Sequence, residues 1–243
     1  MADTLTITAR HNGPPGSANG GYTCGLLAQR VSAEAVEVTL RSPPPLERPL
    51  ALAADGDRVE LRDGEQLVAE ARPSELLLDM PDPVPAEELE RAEAGGVERW
   101  TANHPFPTCF VCGPEREPGD GLRVFPLELP GGDGRFGARW RPDESLAAAD
   151  GSVRPEYVWA ALDCPTSAPV ANFGTGPPMV LARMTARLGC SVRTGEQHSI
   201  LSWPLARDRR KREAAAALYD SEGRMLCASK AFWIELRSPV QDT

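Results

Sequence analysis
The sequence predicts an α+β protein whose two halves repeat one plan. Three observations carry that prediction. Short alternating runs separated by Gly, Pro and Asp-Gly turns read as antiparallel strands. Two apolar stretches, near residues 17–31 and 154–164, have helical spacing. In both halves the order is strand, loop, one apolar helix and a long meander, the mark of an internal duplication.

The first half opens with the alternating stretch TLTITAR. HNGPPGSANGGY (11–22) follows, a loop far richer in glycine, proline and asparagine than a simple connection needs. It runs into the apolar TCGLLAQRV, read as a helix. AVEVTLR (35–41) alternates Val36, Val38 and Leu40 with polar partners, the period of a half-buried strand. SPPPLERP is a bend, since its prolines cannot sit in a central ladder. LALAADGD, RVELRDG and EQLVAEAR then read as three strands joined by Asp-Gly turns.

From Pro73 to residue 103 the pattern breaks. PDPVP reads as linker and AEELERAEA as a short polar helix. The expected units are therefore residues 1–85 and 104–243, with 86–103 as linker. In the second half LRVFPLEL and GRFGARW read as strands around a Gly-Gly turn at 131–132. RPEYVWAALD reads as a helix with Pro155 in its first turn. MTARLGCSVR, HSILSWPL, EAAAALYD and RMLCASKAFWIEL complete a meander. LRDGEQLVAEA (61–71) lies over LYDSEGRMLCASKA (218–231), a loose match between the ends of the two halves.

The chain has 243 residues and a net charge of −9. Such an acidic balance argues against general nucleic-acid binding, which needs a basic face. No apolar run reaches the length that spans a bilayer, and the N-terminus has no signal-peptide pattern. Six scattered cysteines without a secretory signal fit a reducing, cytoplasmic setting.

RPEYVWAALD (154–163) resembles the segment H-G-G-x-x-x-x-L-x-D of acyl-CoA thioesterases of the phenylacetate and hydroxybenzoyl type. It keeps the helix, the Leu and the Asp. The RTGE stretch, the basic turn RDRRKR and the closing hairpin look like that family's downstream pattern, and NGPPGSANGG resembles its glycine-bearing loop. The resemblance covers most of the chain. It implies two tandem hotdog units, each a curved antiparallel sheet wrapped around one central helix, packed as an intrachain pseudo-dimer. It also implies hydrolysis of an acyl-CoA or acyl-carrier thioester, with coenzyme A as part of the substrate and no separate cofactor. The alternative is a non-catalytic binder or scaffold that kept the fold. A homodimer of double-hotdog chains is a further possible assembly.

The resemblance makes Asp163 the catalytic acid, a residue costly to bury unless paired or used. Asn19, Gly20 and Gly21 would offer backbone donors at a helix start, where the dipole favours an oxyanion. Their bland reading is a cap followed by close-packing glycines. The second half lacks those glycines, and its Pro155 has no N–H; the first half has Ala28 in place of the acid. The losses are complementary, so one composite site per chain is expected. Asn12, Tyr22, Trp159 and Ser167 are expected around the substrate. Arg209, Arg210 and Lys211 sit in the one dense basic cluster and suit the phosphates of coenzyme A; a solvated turn is the plain alternative. Cys109-x-x-Cys112-Gly has the shape of a zinc knuckle, with His104 or Cys164 as added ligands. No second paired motif completes it, so no metal is expected. His11 and His198 accompany no nucleophile motif, which argues against a serine triad.

Overall fold
The computed structural model describes residues 3–102, 104–171 and 176–236. Eleven strands form one antiparallel sheet. The first half contributes β1 (Thr4–Thr6), α1 (Gly20–Ala28), β2 (Ala35–Leu40), β3 (Pro49–Asp55), β4 (Arg58–Asp63) and β5 (Gln66–Ser74). After α2 (Ala86–Ala102), the second half contributes β6 (Leu127–Glu128), β7 (Phe136–Trp140), α3 (Pro155–Ser167), β8 (Met179–Leu188), β9 (His198–Asp208), β10 (Lys211–Tyr219) and β11 (Met225–Glu235). The strand order is β1-β3-β4-β5-β2-β8-β11-β10-β9-β7-β6. Outward from the centre, β2, β5, β4, β3 and β1 mirror β8, β11, β10, β9 and β7. The sequence match of 61–71 with 218–231 falls on the equivalent hairpins β4–β5 and β10–β11.

The halves join through β2 and β8, which pair antiparallel from Ala35↔Arg187 to Thr39↔Arg183. Within this pairing Val38 lies opposite Met184, both fully buried. The outer side of the joint is polar: Glu37 pairs with Arg72 at 2.7 Å and with Arg183 at 3.8 Å.

Both central helices lie against this sheet and against each other. In α3 every residue from Glu156 to Thr166 is buried, so the helix is apolar nearly all round, as a helix enclosed by its sheet must be. It runs past Pro165, where a sequence reading ends it. The Thr166 and Ser167 hydroxyls donate to the carbonyls of Asp163 and Cys164, which helps hold this last turn. The chain then tightens into a 3-10 turn at Ala168–Val170.

The stretch 76–97 covers the opposite face of the second half's sheet. Val84, Leu89 and Ala92 share a second buried apolar cluster there with Leu127, Leu129, Trp203, Ala215, Ala217 and Tyr219. Ala216 and Leu218 face the helix side instead. β10 is thus buried on both faces, which explains its unbroken apolar run. Helix α2 bends where Gly95 takes φ 76°. Residue 103, the far end of the expected linker, lies outside the described residues.

Two expected strands differ. LRVFPLEL forms sheet only at Leu127–Glu128; before that, Leu122 and Val124 donate to Phe110 and Val111 of the cysteine loop. The strand placed over MTARLGCSVR begins earlier, at Met179, and stops at Leu188.

Candidate functional site
The start of α1 is the local origin of the site. Helix ends leave N–H groups without helical partners, and here each can be followed. The Asn19 side chain caps the helix by accepting from the Tyr22 N–H at 2.8 Å. The Gly21 N–H donates to Asp163 Oδ2 at 2.9 Å, and the other end of the Asn19 amide donates to the same oxygen at 2.9 Å. For the Gly20 N–H there is no acceptor among the described residues.

Glycine permits this contact by letting the two helices nearly touch. A Cβ on Gly21 would lie 2.4 Å from Asp163 Cβ, and one on Gly25 would lie 2.5 Å from Glu156 Cα. Gly20 faces the sheet instead, with Leu181 and Leu40 in the space a Cβ would need. The glycines therefore serve helix-to-helix and helix-to-sheet approach at once.

Asp163 is 2% exposed. Burial pushes its carboxyl up to about 7; the Gly21 N–H opposes this, Cys109 adds to it, and Asn19 opposes it. Its second oxygen, Oδ1, is buried with no hydrogen-bond partner among the described residues. A carboxyl in that state exchanges a proton near neutral pH. It lies on the wall of a cavity of about 650 Å³ that is also lined by Asn19, Gly20, Leu40, Phe106, Met179 and Trp233. Most of the wall is apolar, as in sites that hold an acyl group or another small organic ligand.

No family model and no curated protein sequence matches the chain. Solved structures do. The tesB protein of Mycobacterium avium subsp. paratuberculosis is 14% identical with a TM-score of 0.62, over 96% of this chain and 92% of that one. A hot dog fold protein of unknown function from Alicyclobacillus acidocaldarius is 12% identical with a TM-score of 0.64, over 98% and 93%. A Lactobacillus plantarum protein provisionally named an oleoyl thioesterase is 10% identical with a TM-score of 0.60, over 98% and 96%. These matches span both halves. The chain is a double hotdog.

Within the double hotdog, donors from the first unit meet the acid of the second. The sequence reading offered both glycine amides to an oxyanion, and the structure corrects that for Gly21, whose N–H already donates to Asp163. No gap separates Asp163 from Gly21, because the helices cross there. Gly21 is therefore engaged by the carboxylate, and Gly20, which lines the cavity, keeps an N–H with no acceptor among the described residues. At the pseudo-symmetric position Ala28 replaces the acid, and Gln29 Nε2 donates to Glu156 Oε2 at 3.1 Å.

Other expected residues are distributed unevenly. Ser167 lines the cavity and donates to the Cys164 carbonyl. Asn12, Tyr22 and Trp159 do not line it. Asn12 donates to Thr108 Oγ1 and accepts from Arg116, which ties two loops together. Tyr22 stacks on His11 with ring centroids 4.0 Å apart. Trp159 packs where α3 meets Gly25. Arg209, Arg210 and Lys211 cap the β9–β10 hairpin outside the cavity wall. Arg210 donates to the Glu235 carbonyl, and Lys211 lies opposite Ile234, a wall residue. The same turn buries Arg212, which pairs with Glu235 at 3.2 Å.

The cysteine loop reaches the cavity too. Cys109, Cys112 and Cys164 all line it, with their three sulfurs within 4.8 Å of one another. The S–H groups of Cys112 and Cys164 hold the Cys109 thiol well below its usual range, and these contacts push their own thiols up. Trp100 of α2 donates to the Cys112 carbonyl at 3.3 Å and helps wall the same space. Trp100 and Phe106 carry no motif, so nothing in the sequence marks them as wall residues.

Proposed function
We propose that this double hotdog hydrolyses an acyl thioester at one composite site per chain. The observation that carries the reading is the Asp163 carboxylate, fixed through one oxygen and unpartnered at the other, on the wall of a largely apolar cavity. In this reading the acyl group occupies the cavity and the thioester oxygen takes the Gly20 N–H, where the α1 dipole favours developing negative charge. Gly21 and Asn19 orient Asp163. Asp163 Oδ1 either attacks the carbonyl carbon, breaking the C–S bond to release thiolate and leave an acyl-aspartyl anhydride that water hydrolyses. Or it removes a proton from a water that attacks the carbonyl, the C–S bond breaking and the thiol leaving with that proton. If the carrier is coenzyme A, its phosphates lie beside Arg209, Arg210 and Lys211 at the outer end of β11.

The test is release of free thiol from a panel of acyl-CoA and acyl-carrier thioesters. Asp163→Asn should lower kcat by roughly 100-fold or more while ligand binding persists. Equal turnover by wild type and variant would overturn the assignment. The low exposure of Asp163 also favours a second reading, a non-catalytic acyl-thioester binder in which the Asp163–Gly21 contact only pins the helices. Saturable binding without turnover across the panel would establish that reading instead.

A further inference from the structure
The sequence expectation of no metal rested on the lack of a second paired motif, and the fold supplies a third thiol, Cys164, without one. Cys109 and Cys112 come from the loop before β6, and Cys164 comes from the last turns of α3. Cys109 Sγ and Cys164 Sγ are 3.8 Å apart. A tetrahedral zinc with Zn–S bonds of about 2.3 Å needs its sulfurs about 3.8 Å apart along each edge. The third sulfur, on Cys112, completes a group within 4.8 Å.

The surroundings fit a built site rather than a chance meeting of thiols. The knuckle is closed by the Gly113 N–H donating to the Cys109 carbonyl at 2.9 Å. A Cβ on Gly113 would fall 2.5 Å from backbone atoms of Cys109 and Pro107, so the turn as folded requires glycine. Phe110 N–H donates to the Asn12 carbonyl, which fixes the loop to the α1 approach. Asn19 Nδ2 points at Cys109 Sγ from 3.9 Å, the kind of outer contact that steadies a ligating thiolate. All three cysteines are buried, yet all three face the cavity.

We propose that Cys109, Cys112 and Cys164 bind one soft divalent metal ion, Zn²⁺ by its chemistry, leaving one tetrahedral position open to the cavity. Thiolate sulfur selects zinc over the hard cations magnesium and calcium, which take oxygen. Three protein ligands and one open position is the arrangement of zinc sites that accept a water or another small donor. His104 lines the cavity, but it stands outside the sulfur group, where its Nδ1 accepts from the Phe106 N–H. The inference rests on the sulfur geometry and is independent of the thioester reading.

The experiment uses the full chain, purified under reductant and stripped with a chelator. Titration with Co²⁺ should give one equivalent bound, with a thiolate-to-cobalt charge-transfer band that Zn²⁺ abolishes. Bound Zn²⁺ should protect three of the six thiols from alkylation. Cys109→Ser and Cys164→Ser should weaken Zn²⁺ binding by roughly 100-fold or more, whereas Cys190→Ser, at an exposed cysteine outside the group, should leave it unchanged. A wild-type chain with no charge-transfer band in excess Co²⁺, and no thiol protection by Zn²⁺, overturns the proposal. Because those two measurements need no variant, poor folding of a serine substitution does not blur the outcome.

Discussion
At the scale of single residues, glycine sets how closely α1 and α3 approach, and that approach has a measurable cost when disturbed. Gly25 offers the cleaner test, since its missing Cβ would meet the Glu156 backbone at 2.5 Å and Trp159 Cβ at 2.9 Å. Gly25→Ala should lose about 1–3 kcal/mol of stability by overpacking, read from the urea midpoint at unchanged slope. His11 gives a second test. Burial holds it down to about 4, helped by Arg10, Arg116 and Arg154 and opposed by Asp120. It stacks on Tyr22, with Phe110 and Tyr157 against the same ring. Folded, it resists protonation more than the unfolded chain does. Its contribution is therefore whole above pH 6.5 and is lost as pH falls from there towards 4. Between pH 7.5 and 5 that loss should be on the order of 1–2 kcal/mol. His11→Phe should lack that part of the pH dependence in urea unfolding. Asp163 and the Asn19–Gly21 segment were singled out in the sequence by the family resemblance, since residues alone read equally as a helix end and a capped helix start. Which glycine binds the acid was not, since that depends on how two distant helices cross.

At the scale of elements, readings succeeded where the local pattern decides and failed where a distant partner does. The meander β3–β4–β5 follows its Asp-Gly turns. LRVFPLEL has strand composition, yet residues 122 and 124 give their N–H groups to the cysteine loop, a partner no periodicity announces. α2 was legible as a polar helix, but not as a cover, because its buried stripe is only Leu89, Ala92 and Gly96. Its partner surface is β6 and β7, where Gly96 meets Leu127 and Leu89 meets Gly137. Ala92→Glu should therefore destabilise the chain by about 1–3 kcal/mol, since it places a charge in the apolar cluster that Ala92 shares with Leu89, Leu127 and Leu129. Thermal or urea unfolding checks this; an unchanged midpoint would mean that α2 does not cover the sheet in solution. The sequence left both His104 and Cys164 open as partners of the Cys109-x-x-Cys112 thiols; Cys164 is 52 residues from Cys112, and only the packing of α3 decides that it is the one that joins them.

At the scale of the whole molecule, the helix-side core holds residues from both units, including Leu27 and Val38 from the first and Leu162 and Met184 from the second. The duplicated plan was visible in the sequence as repeated element order. The joining of the two units into one continuous sheet was expected from the family resemblance alone, because the β2–β8 pairing leaves no turn signal between the halves. Residues 1–85 and 104–243 therefore should not melt separately. Urea unfolding should follow one transition by circular dichroism and by tryptophan fluorescence, and two resolved steps would mean that each unit stands alone. Among the described residues no helix is long and apolar enough to cross a membrane. The sheet ends on β1, three residues long, and β6, two residues long. Strand addition needs a template of unpaired backbone, and rims this brief supply almost none. At either rim of the ladder a second copy would therefore find only a two- or three-residue strand to extend.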